Sequence, residues 1–412
     1  MAQLQPPSDS IKSTSNSSEN YLIPFMLVTS LFFLWGFAIS MLDVLNKHFQ
    51  EVLSLSPAAS TLVQVSTFGA YFIMSLPAGY FMKKYGYKKG ILAGLFLYAA
   101  GAFLVFPASQ AQSWEFFLIA LFILACGLAF LETAANPYAS VLGKPETSEQ
   151  RLNLAQSFNG LGVIIGPLVG ARFVFSTQNQ SIAEGFASVQ MPYMIVGSVV
   201  SLVAIFFIFT PLPEVQENAL VSGSLPQKKL INQKHFVLAV IAQFFNVGAQ
   251  ICVWSLFINY ATESLAISNQ SASYWLSVSM VIFMLGRFAG TFFMRFINAN
   301  MLLGVYCLSI VGLLLIVSFN LFGTYSIYAL VAFFFFQSIT FPTIFALGIK
   351  DVGSSTKQAS SYIIMAVAGG AVFPPIMGYL VTTLSTSLAF LLPTALFAFI
   401  GWYGFKGSQL RV

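Results

Sequence analysis

The stretch Phe116–Gly143, "FFLIALFILACGLAFLETAANPYASVLG", runs without a charge as far as Leu131 and then places a carboxyl group, Glu132, inside what otherwise reads as a membrane span. About 20 apolar residues of helix suffice to cross a bilayer core of roughly 30 Å. An ionised side chain at the centre of such a helix costs about 2.5–3.5 kcal/mol on insertion scales. A chain that keeps one there needs a use for it.

The rest of the chain supports the same frame. Of its 412 residues 57% are hydrophobic and only 8% are charged, against roughly 25% charged in soluble domains. This is the composition of an integral membrane protein. The apolar runs have helical length and lack the alternating ten-residue pattern of an outer-membrane barrel, so the expected fold is all-α.

Apolar windows cut at charged or Pro/Gly/Ser/Asn clusters predict twelve transmembrane helices, near residues 22–50, 58–82, 89–108, 114–142, 152–176, 191–211, 236–261, 272–296, 301–319, 323–348, 357–382 and 386–406. The longest hydrophilic interruption divides them six and six. The expected organisation is a disordered tail over 1–20, a six-helix bundle over 21–211, a linker over 212–235, a second bundle over 236–407 and a short tail over 408–412. The opening "MAQLQPPSDSIKSTSNSSEN" lacks the basic-then-apolar order of a cleavable signal.

Charge sets the orientation. Lys12, Lys83, Lys84, Lys88, Lys89, Lys144, Arg151, Lys228, Lys229, Lys234, Arg295, Lys350, Lys357, Lys406 and Arg411 fall on one side of the predicted spans, whereas only Lys47 and Arg172 fall at or near the other. By the positive-inside rule, both termini and the linker are expected in the cytoplasm. The net charge of +5 is thus topological, and no basic helix or aromatic signature suggests nucleic acid. The odd number of cysteines (Cys126, Cys252, Cys307) and the two histidines at segment ends (His48, His235) offer no metal-type spacing. No nucleophile elbow or P-loop is present, so no enzyme activity, metal or other cofactor is expected, and uphill transport would draw on an ion gradient.

The two halves echo each other. Pro137 precedes Gly143 as Pro342 precedes Gly348, and Pro167 with Gly170 matches Pro375 with Gly378. Internal symmetry of this kind is what a transporter built from duplicated bundles retains, with its site between the halves.

The loop "GYFMKKYGYKKG" (Gly79–Gly90) resembles the signature loop of the major facilitator superfamily, with Lys83 where the usual aspartate stands, and "GRFAGTFFMRF" (Gly286–Phe296) is its partial counterpart. The segments "FLWGFAISMLD" (Phe33–Asp43), "LETAANPYASVLG" (Leu131–Gly143), "NLAQSFNGLGVIIGP" (Asn153–Pro167), "FPTIFALGIKD" (Phe341–Asp351) and "SYIIMAVAGGAVFPPIMG" (Ser361–Gly378) together resemble the fucose:proton symporter family, which also takes glucose, galactose and N-acetylglucosamine. The resemblance implies two pseudo-symmetric six-helix bundles and proton-coupled import of a monosaccharide across a bacterial inner membrane. It implies Asp43 and Glu132 as the proton-coupling pair, with Gln156 and Asn159 contributing amides to the sugar. Of the four residues before Asp43 only Ser40 can hydrogen-bond, which leaves the identity of the sugar open.

The residues carry part of this independently. A desolvated carboxylic acid favours its neutral form and can release its proton when water or a partner arrives, so two acids on separate helices suit alternating access. Asn136 shares a helix face with Glu132, and Gln156 with Asn159. On the seventh segment Asn246, Gln250 and Trp254 recur every fourth residue, joining two amides and an indole on one face. Amides suit sugar hydroxyls and an indole suits the C–H face of a pyranose; packing between helices is the competing explanation. Gln337 and Tyr362 complete the candidates. For the acids, the competing explanations are a Glu132–Arg287 ion pair and an interfacial Asp43 paired with Lys47. Sodium as coupling ion, drug or metabolite antiport and a transport-inactive sensor remain as alternatives. The expected partners are a sugar, the coupling ion and the lipid bilayer, and a twelve-helix chain can enclose its own pathway as a monomer.

Overall fold

The computed structural model describes residues 22–55, 62–143, 145–174, 181–212, 229–267 and 269–409. The expected N-terminal tail and most of the linker, 213–228, lie outside these described residues. No strand occurs among the described residues, in agreement with the all-α expectation.

The first half consists of α1 (Leu22–Val52), α2 (Leu62–Tyr85), α3 (Tyr87–Gln110), α4 (Trp114–Val141), α5 (Ser148–Val174) and α6 (Ile182–Phe209). The second half opens with α7 (Lys234–Leu265), α8 (Asn269–Phe293) and α9 (Ala299–Ser318). Its last three spans are broken, into α10 (Ser326–Gln337) and α11 (Thr340–Ile349), α12 (Thr356–Met365) and α13 (Gly369–Thr383), and α14 (Thr386–Ala389) and α15 (Leu391–Trp402). Among the described residues, ten stretches are long and apolar enough to cross a membrane. The remaining long helices are α2 and α5; α5 carries Asn153, Gln156 and Asn159 because it runs through the interior, between α1 and α8.

Local chemistry explains where the helices depart from the hydropathy reading. The sixth starts at Ile182, before the predicted 191, because Ser181 and Glu184 form a capping box: the Ser181 hydroxyl accepts from the Glu184 N–H, and the Glu184 carboxylate accepts from the Ser181 N–H at 2.8 Å. Hydropathy is blind to a cap. At the other end of α6, Lys88 Nζ donates to the carbonyls of Ile208 and Thr210 at 3.0 and 2.9 Å, satisfying groups that the last turn leaves without helical partners. The tenth span breaks between Gln337 and Thr340, just ahead of Pro342, whose ring removes one N–H and crowds the carbonyl four residues earlier. The eleventh breaks through a tight turn at Ala366–Ala368, and Gly369 follows with its backbone pressed onto the Phe244 carbonyl, where a Cβ has no room.

Two large apolar cores result among the described residues. One gathers α1 to α6, the other α7 to α10 with α13 to α15. Phe341, Phe345 and Ile349 of α11 and Ile363 and Ile364 of α12 belong to the first core although they are second-half residues. The halves are therefore fused through α11 and α12, toward the end that carries the basic loops. There Glu149 pairs with Lys350 at 3.1 Å, Asn153 Nδ2 donates to Thr343 Oγ1 at 3.3 Å, and Gly79 of the signature loop lets α2 approach Ser361 and the Lys357 carbonyl.

Candidate functional site

Glu132 lies in α4, 2% exposed, and neither carboxylate oxygen has a hydrogen-bond partner. The Tyr71 hydroxyl of α2 lies beside it, and the Trp35 indole of α1 beside Tyr71, yet none of the three closes a hydrogen bond of normal geometry. Leaving a buried polar group unpaired costs about 1–3 kcal/mol, more for a charged one. Three such groups in a row make a place that a proton, a water or a substrate hydroxyl would satisfy.

One turn along α4, Asn136 donates to the Glu132 carbonyl at 2.9 Å and accepts from Gln156 Nε2 at 3.1 Å. Asn159 Nδ2 donates to the Phe32 carbonyl of α1 at 3.2 Å. The side chains of Asn136, Gln156 and Asn159 thus form one polar seam across α1, α4 and α5, which Glu132 enters only through its backbone carbonyl. From the other half Arg287, 5% exposed, reaches the same seam. Its Nη1 donates to the Gln156 carbonyl and lies 3.3 Å from both Gln156 Oε1 and Asn159 Oδ1, while its Nε donates to the Ser338 carbonyl at 3.0 Å. The ion pair of Arg287 with Glu132 does not form, because the guanidinium is directed at these amides and carbonyls.

The second-half candidates form a separate group. Gln337 Nε2 donates to Gln250 Oε1 at 2.7 Å, and Asn246, on the same face of α7, has neither amide atom partnered. The Trp254 ring stacks on Phe334 at 5.9 Å and meets Phe283 edge-on at 5.4 Å, so one of its faces is already covered by protein, and its indole N–H is unpartnered. Phe283 in turn lies under the Arg287 guanidinium at 4.6 Å, linking this aromatic stack to the amide seam.

Two candidates sit elsewhere. The Ser40 hydroxyl donates to the Phe37 carbonyl at 3.0 Å within the tight α1–α5 contact, because a helix-buried serine satisfies its own backbone first. Tyr362 lies edge-on to Phe236 in a groove of about 720 Å³ at the basic end, with Lys229 and Gln358, and does not join either amide group. Asp43 falls within α1, but its side chain, like that of Lys47, lies outside the described residues.

The sequence reading missed Trp35, Tyr71 and Gln243. Gln243 is fully buried with both amide atoms unpartnered, three residues before Asn246, and its helical spacing was the signal. Trp35 and Tyr71 gave no signal, since an aromatic side chain in an apolar span reads as packing.

A sequence profile of the Major Facilitator Superfamily matches residues 26–372. The chain belongs to this superfamily. It is a multi-pass membrane transporter and not an enzyme. It is 40% identical to the L-fucose-proton symporter of Escherichia coli (strain K12), over 89% of this chain and 88% of that one. It is 35% identical to the glucose/galactose transporter of Brucella abortus biovar 1 (strain 9-941), over 99% and 100% of the two chains. Among solved structures, the superfamily transporter FucP, crystallised in the outward conformation, superposes with a TM-score of 0.85 at 38% identity, covering 94% of this chain and 99% of that one. The two-bundle fold expected from the resemblance is the one the chain has.

Proposed function

We propose that this superfamily transporter is a proton-coupled monosaccharide importer of a bacterial inner membrane, working as a monomer with both termini in the cytoplasm. The observation that carries the proposal is the Glu132 carboxyl, buried within a membrane bundle with neither oxygen partnered. A permanently ionised group would not stay there unpaired. A group that alternates between neutral and ionised as the halves rock has reason to be, and Asp43 of α1 is assigned as its coupling partner. The names of the relatives, a fucose-proton symporter and glucose/galactose transporters, support the substrate class.

In this reading Asn136, Gln156 and Asn159 meet the sugar from the first half. Asn246, Gln250 and Gln337 meet it from the second, with Trp254 offering its remaining edge. The amides of Gln156 and Asn159 are already bonded within the protein, so each meets a hydroxyl through its second hydrogen or lone pair. Those of Asn246 are open. Ser40 and Tyr362 are placed in supporting positions, in the α1–α5 seam and at the basic end.

Mechanistically, sugar reaches the amide seam and a proton reaches Glu132 while the basic end is joined by the Glu149–Lys350 pair and its neighbours. Neutral Glu132 and an occupied amide seam then allow the halves to rock, opening the basic end. Initial uptake rates across external pH in sodium-free potassium buffer test this. Uptake that is fast at acidic pH and falls as pH rises is the expected result. No uptake at any pH, restored by sodium, would replace the proton with sodium.

A further inference from the structure

Pro342 has no N–H to give the carbonyl of Ser338, four residues earlier, and that carbonyl is the one that accepts Arg287 Nε at 3.0 Å. The same guanidinium then reaches across the interface to the Gln156 carbonyl, to Gln156 Oε1 and to Asn159 Oδ1. A guanidinium is a planar fork with donors in fixed directions. Anchoring Nε therefore fixes where Nη1 points, and the guanidinium lies over the Phe283 ring at 4.6 Å, which limits its freedom further. Oriented in this way, the Gln156 and Asn159 side chains turn their oxygens to Arg287 and their nitrogens to Asn136 and Phe32.

We propose that Arg287 is a positioning residue for the sugar site. It holds Gln156 and Asn159 in the orientation that receives substrate, and its own anchor is the carbonyl that Pro342 releases at the break in the tenth span. The proposal deepens the sugar-transport reading and rests on it for the identity of the ligand. Two consequences separate it from a general structural role. Arg287→Lys keeps the charge but loses the fork. Pro342→Ala touches neither amide, yet gives the Ser338 carbonyl a helical N–H that competes with Arg287 for it and so weakens the anchor.

The test compares the wild type, Arg287→Lys, Pro342→Ala and the double variant as purified full-length protein. Binding of L-fucose, D-glucose and D-galactose is titrated, and hydrogen exchange is followed by mass spectrometry over residues 150–162. Each single variant is expected to bind the preferred sugar about tenfold more weakly, as the loss of one or two hydrogen bonds implies. The double variant is expected to be no weaker than the worse single one, since both act on one link. Exchange over 150–162 should speed up equally in both. Additive losses, or a Pro342→Ala variant with wild-type binding, overturn the proposal. Hydrogen exchange decides the anchoring even without sugar: unchanged protection in both variants overturns it, and faster exchange in both upholds it. A wild type that binds none of the three sugars removes them as substrates and leaves the exchange result to stand by itself.

Discussion

The Ser360 hydroxyl of α12 donates to the Thr133 carbonyl of α4 at 2.8 Å, joining the two halves through the carbonyl that Pro137, four residues on, leaves without a helical partner. The pair mirrors Arg287 on the Ser338 carbonyl released by Pro342. Each half thus turns a proline into an acceptor for a side chain from a neighbouring helix. The Ser360 bond lies in the joined, basic-end half of the molecule and breaks if the halves part there.

Ser360→Ala removes that donor and leaves the Thr133 carbonyl buried and unpaired, a penalty of about 1–3 kcal/mol on the joined state alone. A cysteine introduced by Asn153→Cys, beside Thr343, is expected to react faster with a membrane-impermeant thiol reagent in the Ser360→Ala background. Adding Pro137→Ala, which returns an N–H to Thr133, should reverse much of the gain. Equal labelling in all backgrounds counts against the latch.

Glu132→Gln keeps the size of the side chain and mimics the neutral acid while abolishing its titration. Accumulation of sugar against a gradient is expected to disappear, and exchange of labelled for unlabelled sugar to persist in part. Normal uphill uptake by the variant would show that Glu132 is not the coupling acid. Asp43→Asn is expected to give the same split, and Lys47→Ala is expected not to.

Asn246→Ala and Gln243→Ala address the unpartnered amides of α7. If these face substrate, each weakens sugar binding a few-fold, at about 0.5–1.5 kcal/mol per hydrogen bond, with little change in thermal unfolding. If they face only one another's helices, removing an unsatisfied buried amide raises the unfolding temperature and leaves binding alone. The two readouts move independently, so calorimetry and sugar titration together decide the case.

Ser181→Ala breaks the capping box of α6. The expected cost is about 1 kcal/mol at that helix end, seen as faster hydrogen exchange over residues 182–186. Transport should be unaffected, since Ser181 and Glu184 are exposed and far along the chain from the amide seam. A loss of uptake would place α6 in the transport cycle.

The fold and the two helices that carry Glu132, Asn136, Gln156 and Asn159 could be read from the sequence because the bilayer imposes a one-dimensional rule: a span must be apolar for about 20 residues, and an exception must have a purpose. Pairing Asn136 with Glu132 and Gln156 with Asn159 needed only the helical repeat. On the seventh segment, Gln250 meets Gln337 across α7 and α10, a hydrogen bond between helices of the kind the competing packing explanation expects.

What the sequence could not supply was which faces meet. Arg287 read as one basic residue in the eighth segment, with an ion pair to Glu132 as the competing explanation for that acid, because opposite charges attract in any reading that lacks distances. The tertiary structure turns it toward Gln156, Asn159 and the Ser338 carbonyl and leaves the Glu132 carboxyl beside the Tyr71 hydroxyl. Composition and periodicity determine that a helix crosses the membrane and which of its residues share a face. The contacts that convert those faces into a site depend on helix rotation and on carbonyls released by prolines, and both are set by packing between segments far apart in the chain.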